Sequence, residues 1–417
     1  MGEDFLSQYL DYSSNTEVPA LFHRWAAITG LGAYLGRQFH LEHGSFNIYP
    51  NMYSMLIGSP GTRKGTAIKL MKKLLESAGY KTFAAERTSK EKFLLDLAGE
   101  GESNALSAED FLDAELFGSD AAKSDCEMFI AIDEFNDFIG NGNIEFISML
   151  GNMWDYHGVY KNRIKTGKSI EITNPTISII GGNTPTGFSL AFPTEILGQG
   201  FFSRLILVYG ESTGRKIAFP KPPPVESTIR IISVLQNIKQ VSYGVAELTP
   251  KAEKLLEKIY NGVFGVNDVR FDSYSNRRFS HLLKLTLICT AARCSKKIEE
   301  LDVIYANTIL VYTERLMPKA LGEFGKARHS DVAHKIIQLA ESTHSILTFK
   351  EIWKHVANDL EKMSDLAVLL QNLVAAEKLQ AVPGGLGFLP KRKVLEYSDS
   401  SLFNFELLTP EERKITL

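Results

Sequence analysis

The chain has 417 residues, 44% of them hydrophobic and 23% charged, enough to bury a sizeable core and to build more than one domain. Its 46 basic and 49 acidic residues leave a net charge of −3, which excludes a globally basic nucleic-acid coat, so any nucleic-acid contact must be local. Cys126, Cys289 and Cys294 lack metal-ligand spacing and point to a reducing compartment; with no secretory signal and no apolar run of membrane-spanning length, the expected address is the cytoplasm.

Residues 1–50 read as an N-terminal helical segment and hairpin. From Val18 to Leu35, apolar Leu21, Phe22, Trp25, Ile28, Leu31 and Leu35 recur at helical spacing, so an amphipathic helix is expected to pack on the core. FHLEHGSFNIYP, Phe39 to Pro50, reads as a hairpin turning near Gly44. His23, His40 and His43 do not share metal-site spacing and read as structural or surface groups.

Residues 51–224 carry the chemistry. MLIGSPGTRKGTAIKLMKKLL, Met55 to Leu75, is an apolar strand, a glycine-rich turn and an amphipathic helix, the pattern of a phosphate cradle. Gly58, Ser59, Pro60, Gly61, Thr62, Arg63, Lys64, Gly65 and Thr66 are its expected nucleotide-binding run. Lys64 stands where the P-loop lysine reaches the β- and γ-phosphates. Against the consensus, Arg63 replaces the second glycine and Gly65 the magnesium-binding hydroxyl, leaving Thr66 one residue late as the candidate metal ligand. A short strand at Lys81 to Ala85 leads to Thr88, a plausible cap for a helix beginning at Ser89.

MFIAIDEFNDFIG, Met128 to Gly140, is a strand ending in Asp133 and Glu134, the Walker B pattern: Asp133 serves magnesium and Glu134 orients and polarises the attacking water. After a helix over Ile144 to Trp154, GVYKNRIKTGKSIEITNP reads as a β-hairpin with Thr166-Gly167-Lys168 at its turn. Lys161, Arg163, Lys165 and Lys168 crowd around that turn, suited either to DNA phosphates or to keeping an edge soluble. TISIIGGNTPTGF, Thr176 to Phe188, is a strand expected to break at Gly181-Gly182-Asn183-Thr184, with Asn183 able to donate to phosphate and accept from water. Arg204 precedes the strand Leu205 to Tyr209 and suits either a finger reaching a neighbour's γ-phosphate or a surface ion pair.

GESTGRKIAFPKPPP, residues 210–224, reads as a boundary. Residues 225–328 read as a helical lid, with helices over Pro250 to Tyr260, Ser280 to Cys294 and Ile304 to Leu321. Residues 329–395 read as three helices (Val332 to Ala340, Thr348 to Val356, Ser364 to Glu377) and a short hairpin turning at Pro383-Gly384-Gly385. That order resembles a winged helix, although Glu361, Asp365 and Glu377 on or beside its third helix suit a protein partner as well as DNA; Lys391-Arg392-Lys393 lies just beyond. The tail, residues 396–417, mixes Phe403, Phe405 and Leu407 with acids and can dock on a neighbour or on its own subunit.

The ordered set GSPGTRKGT, FIAIDEF, IIGGNTP and GFFSRL resembles the AAA+ ATPase module of phage and plasmid replication proteins, the primase-helicase type allied to superfamily 3 helicases, over residues 5–325. The resemblance implies an α/β fold: a P-loop core with a parallel sheet flanked by helices, an N-terminal helical element, a helical lid and the C-terminal winged-helix-like domain. It gives Lys64, Asp133, Glu134, Asn183 and Arg204 the roles of Walker A lysine, Walker B carboxylates, sensor 1 and arginine finger, with Arg277, Arg278 and Lys284 as sensor 2 candidates. It implies ATP and Mg²⁺ as cofactors and an ATP hydrolase that drives DNA unwinding in a homo-hexameric ring. Its partners would be single-stranded or forked DNA and replication proteins, in a host bacterial cytoplasm if phage-encoded. The alternative is an ATP-dependent switch or loader that assembles a partner on DNA without unwinding.

Overall fold

In a computed structural model of the chain, the structure describes residues 4–99, 126–163, 169–192, 196–197, 200–262, 265–266, 268–322, 330–343, 345–360, 362–375, 378–390 and 401–413. Two compact units form: Met1–Gly322 together with Ser400–Leu417, and Glu323–Asp399. The 210–224 segment expected as a boundary therefore lies inside the first unit, as do the helices expected as a separate lid.

The first unit begins with α1 (Phe5–Ser13), which the sequence reading missed; the Asp4 carboxylate caps it by accepting from the Ser7 N–H at 2.8 Å. The next helix, α2 (Ala20–Leu35), was expected to be amphipathic, yet nearly every residue in it is buried. Its polar members are paired inside the protein: Arg24 with Glu412, and Thr29 with the Ser54 hydroxyl at 2.9 Å. The hairpin β1 (Phe39–His43) and β2 (Phe46–Ile48) follows, turning at Gly44, whose φ is +62°.

The central sheet is parallel. Its strands are β3 (Tyr53–Ile57), β4 (Glu127–Ile132), β7 (Thr176–Asn183) and β8 (Leu205–Tyr209), in spatial order β4-β7-β3-β8. An isolated parallel bridge from Phe83 to Phe129 extends it beyond β4, where a strand over residues 81–85 was expected. These strands read as continuous apolar runs because helices cover both faces; all five residues of β3 and all eight of β7 are buried. Between β4 and β7 lie the two-stranded hairpin β5 (Val159–Arg163) and β6 (Ser169–Thr173).

Helices connect the strands, some of them where the sequence reading placed none. α3 (Lys64–Ser77) follows β3; α4 (Lys90–Leu97) is capped by Ser89 rather than Thr88. Then come α5 (Phe135–Ile139), α6 (Ile144–Asn152), α7 (Pro185–Ala191) and α8 (Gly200–Arg204). Beyond β8, α9 (Val225–Val241), α10 (Pro250–Asn261), α11 (Asp272–Ser275), α12 (Arg278–Ala292) and α13 (Glu300–Leu321) complete the helical part, with α13 packed on β8 and α12.

The tail returns to this unit: Leu402, Phe403 and Leu408 are buried, the Asn307 side chain donates to the Leu402 carbonyl at 2.7 Å, and α14 (Pro410–Arg413) brings Glu412 to Arg24. The tail thus docks on its own subunit. In the second unit, helices Ser330–Thr343, Phe349–Val356 and Met363–Ala375 and strands Leu379–Val382 and Gly387–Pro390 share one core around Ile336, Ile352, Val356 and Leu366. Thr348 and Glu351 form a capping box on the middle helix. Glu361, Glu377 and Lys391-Arg392-Lys393 lie outside the described residues.

Candidate functional site

The carboxyl ends of β3, β7 and β4 bring the expected site residues to one edge of the sheet. Ile57, the last residue of β3, pairs with Asn183, the last residue of β7. β7 in turn separates β3 from β4, at whose end Asp133 and Glu134 follow. Neighbouring strands lie about 4.8 Å apart, so β3 and β4 end about 10 Å from each other with Asn183 between them. The open crevice beyond strand ends of this kind is the usual ligand position in parallel sheets.

The loop is held tight by glycine. A Cβ on Gly58 would lie 2.6 Å from the Gly210 carbonyl oxygen, and Gly61 has φ +85°. Arg63 sits at φ +61°, ψ +28°, the left-handed region, immediately before α3. The backbone conformation that the consensus glycine provides is therefore kept here by an arginine. Its guanidinium is anchored by Glu17, Nε at 2.9 Å and Nη2 at 2.7 Å.

Lys64, only 8% exposed, folds its ammonium into the loop, donating to the carbonyls of Gly58 at 2.9 Å and Ser59 at 3.2 Å and to the Thr62 hydroxyl at 3.3 Å. Burial lowers its pKa; the Glu134 and Asp133 carboxylates push the other way. An ammonium held by neutral acceptors with two carboxylates in its field is a cation poised for an anion. The first turn of α3 adds its unpaired N–H groups and dipole to the same concavity.

Of the two residues expected at the metal position, Asp133 packs on the residue before Thr66. A Cβ on Gly65 would lie 2.0 Å from an Asp133 carboxylate oxygen, so Asp133 packs against Gly65, the consensus hydroxyl position, while Thr66 is an exposed residue about 100° further around the helix. Thr66 is thus not the residue that meets Asp133. The Lys69 ammonium, one turn beyond Gly65, lies 3.3 Å from the Asp133 carboxylate. A cation is thus already drawn to the spot. Among the described residues no group of three His, Cys, Asp or Glu could hold a metal ion. Asp133 alone suits Mg²⁺, which takes one or two carboxylates and completes its shell with waters and phosphate oxygens.

Asn183 is 1% exposed and its amide is committed: Nδ2 donates to Asn136 Oδ1 at 2.6 Å, and Oδ1 accepts from the Thr184 N–H at 2.9 Å. Asn136 also donates to the Gly187 carbonyl at 2.7 Å. The strand does not break at Gly181-Gly182 but runs through both to Asn183. Glycine is needed there because a Cβ on Gly182 would lie 2.2 Å from the Asp133 carbonyl oxygen. Lys69, Asn136 and Glu17 were missed by the sequence reading. The available signals were spacing alone: Lys69 one turn from Gly65, and Asn136 three residues after Asp133.

Arg204 is not part of this cluster. It precedes Leu205, which pairs with Tyr53 at the opposite end of β3, about 13 Å of strand from the loop. Its guanidinium is not projected but folded back, with Nη1 donating to the Gly200 carbonyl at 2.6 Å and Cζ 5.8 Å from the Trp154 ring centroid. Burial, then the nearby Arg277, lowers its pKa. Lys284 and Arg278 also lie away from the loop. Lys284 is wholly buried against Tyr49, Asn51 and Asp155, and Arg278 binds Glu314 and Asn307, so neither is free to meet phosphate.

In the hairpin, Lys161 pairs across the strands with Glu171 at 2.8 Å, which cancels part of the expected basic character, while Arg163 is exposed. Lys165 and Lys168 lie outside the described residues. Among the described residues no helix is long and apolar enough to cross a membrane. No protein-family model matches the chain, and no curated protein matches its sequence.

Proposed function

We propose that this chain is an AAA+ type ATP hydrolase driving a DNA motor, the replicative helicase of a phage or mobile element, working as a homo-hexameric ring. The observation that carries this reading is the strand order β4-β7-β3-β8, which gathers Lys64, Asp133, Glu134 and Asn183 at one sheet edge. The opposite position of Arg204 supports a site shared between subunits, since it cannot serve the loop of its own chain.

When bound, ATP supplies the reactive phosphoanhydride and Mg²⁺ the charge neutralisation. Lys64, now donating to the carbonyls of Gly58 and Ser59, would hold phosphate oxygens, and Asp133, now paired with the Lys69 ammonium, would hold the metal. Glu134, exposed at the start of α5, orients and polarises water; the Asn136–Asn183 pair holds the amide that aligns it. Arg204 from a neighbouring copy leaves Gly200 to stabilise charge in the transition state. The three helices and hairpin of the second unit support a winged-helix reading of residues 329–395, serving DNA or a replication protein.

The Lys161–Glu171 pair favours a second reading, the ATP-dependent switch or loader, because it reduces the positive charge available to phosphates. The test is ATP hydrolysis with and without single-stranded DNA, with Lys64→Ala as the blank and Arg204→Ala as the shared-site probe. A motor gives Lys64-dependent hydrolysis stimulated by DNA and strand displacement on a forked duplex, and Arg204→Ala binds ATP without turnover. Hydrolysis indifferent to DNA supports the switch or loader; near wild-type turnover in Arg204→Ala would remove the shared site.

A further inference from the structure

A cavity of about 730 Å³ lies beside the phosphate loop on the β8 side, within the range small-molecule sites occupy. Gly210 links it to the loop: the Gly210 N–H donates to the Ile57 carbonyl at 3.0 Å, its carbonyl blocks a Cβ on Gly58, and the next residues, Glu211 to Thr213, line the cavity. Glu17, which anchors Arg63, also accepts from the Ile217 N–H at 2.8 Å and, through its carbonyl, from the Thr213 hydroxyl at 3.1 Å.

The cavity's polar groups do not suit a phosphate. Asp11, Glu211 and Glu411 face it along with Arg215 and Lys319, and those two cations are drawn to carboxylates, Arg215 to Glu411 at 3.7 Å and Lys319 to Glu211 at 3.9 Å. His23 lines it too, 3% exposed, with Nε2 on the Thr16 hydroxyl at 2.8 Å and Nδ1 lacking any hydrogen-bond partner. Carboxylate acceptors and a buried, unpartnered imidazole nitrogen match the hydroxyls and ring nitrogens of a nucleoside.

One wall of this cavity comes from the far end of the chain. Thr409 to Glu412 line it, and the Glu411 carboxylate accepts from the Ala20 N–H at 3.2 Å. The segment is anchored on both sides of that wall. Asn404 N–H donates to the Thr308 hydroxyl at 2.9 Å, and Glu412 makes a two-point pair with Arg24 at 2.5 and 2.7 Å. Lys319 and Thr409, which flank the second unit in sequence, both border the cavity.

We propose that this cavity takes the nucleoside end of the bound nucleotide and that residues 401–413 form a strap closing over it, so that nucleotide and strap hold each other in place; this rests on the phosphate-loop reading above. Coupling of this kind is reciprocal: whatever the docked strap adds to nucleotide affinity, bound nucleotide adds to strap docking.

The experiment uses the full chain and two probes, ADP and inorganic tripolyphosphate, the second of which has phosphates but no nucleoside. Binding is measured by calorimetry for the wild type, Glu411→Ala and Thr409→Ala, alongside hydrogen exchange of residues 401–413. ADP is expected to slow exchange in 401–413 while tripolyphosphate does not, and Glu411→Ala to weaken ADP about tenfold while tripolyphosphate binds as before. Glu411 is 38% exposed, and the melting temperature of its variant is compared with the wild type to separate a loss of binding from a loss of fold. Unchanged ADP affinity in both variants with unchanged strap exchange would overturn the strap and leave the phosphate loop standing. Failure of the wild type to bind either probe would overturn both.

Discussion

The two ends of the central sheet each bury a lysine, and they use it in opposite ways. At the amino end, Lys284 has no exposure and touches a carboxylate, Asp155, at 2.9 Å, with Asn51 Oδ1 at 2.7 Å, the Tyr49 carbonyl at 3.0 Å and the Trp154 ring beneath it. At the carboxyl end, Lys64 is nearly as buried, but it touches only carbonyls and a hydroxyl. Burial lowers the pKa of both. A lysine with its counter-ion in contact is a finished structural pair, whereas one held by loop carbonyls has its opposite charge still to come. The proposed site lies at the end where charge is left open.

The largest effect that tests this contrast comes from removing each ammonium in turn. Lys64→Met should lower ATP hydrolysis by about 100-fold or more, as loss of a transition-state donor does, while stability stays within about 1 kcal/mol of wild type. Lys284→Met should do the reverse. It leaves Asp155, Asn51 and the Tyr49 carbonyl without their shared partner and should cost about 3 kcal/mol of stability, with nucleotide binding retained by the folded fraction. Urea unfolding and ADP calorimetry on both variants decide it; equal loss of binding in both would erase the distinction.

A middle-sized effect comes from two histidines, one beside each end. His23, near the loop, is pushed down to about 3, first by burial and then by Arg215. His281, near Arg204, is pushed down to about 4, first by burial, with its hydrogen bond to the Ser203 carbonyl opposing. Both are neutral in the fold, and in the unfolded chain both take a proton near 6.5. Between that value and the folded one the unfolded state binds more protons, so the stability is fully present above 6.5 and falls as pH drops towards 3 to 4. Each histidine should contribute a loss on the order of 3 kcal/mol. His281→Gln should flatten that part of the urea-midpoint profile; a profile already flat between pH 6.5 and 4.5 would contradict it.

The same two ends differ in how far they could be read from the sequence. The loop end was legible because its chemistry is local: a buried parallel strand is an unbroken apolar run, Gly58, Asp133 and Asn183 each stand at or just past the end of one, and Lys64 opens the helix after the first. The opposite end was not, because its partners are distant in the chain. Lys284 meets Tyr49 and Asn51 more than 230 residues away, so from the sequence it stood only as a sensor 2 candidate. Arg24 meets Glu412, 388 residues away, so α2 read as amphipathic when its polar residues are internal. Arg204 was legible as a residue type and a position, but its fold-back onto Gly200 depends on the buried Trp154 beside it, which no spacing announces. Within the site, Gly65 looked like a missing hydroxyl, and only the packing of Asp133 against it explains the glycine.

The smallest expected effect concerns Arg63, where the open end departs from its consensus and compensates locally. Arg63 holds a left-handed backbone that costs a side-chain-bearing residue about 1 kcal/mol, and its guanidinium recovers some of this through Glu17. That pair is partly exposed, 53% for Arg63 and 22% for Glu17, so solvent screening leaves it a small net contribution. Arg63→Gly should therefore change stability by no more than about 0.5 kcal/mol in either direction, the relieved backbone offsetting the lost pair. Glu17, however, also accepts the Ile217 N–H and takes Thr213 on its carbonyl, so it stays in place without Arg63. Arg63→Gly should thus keep ADP affinity within about twofold, while Glu17→Ala, which frees the loop wall and Arg63 together, should weaken it more. If Arg63→Gly alone lowers affinity as much as Glu17→Ala, the guanidinium is a phosphate ligand rather than a clasp.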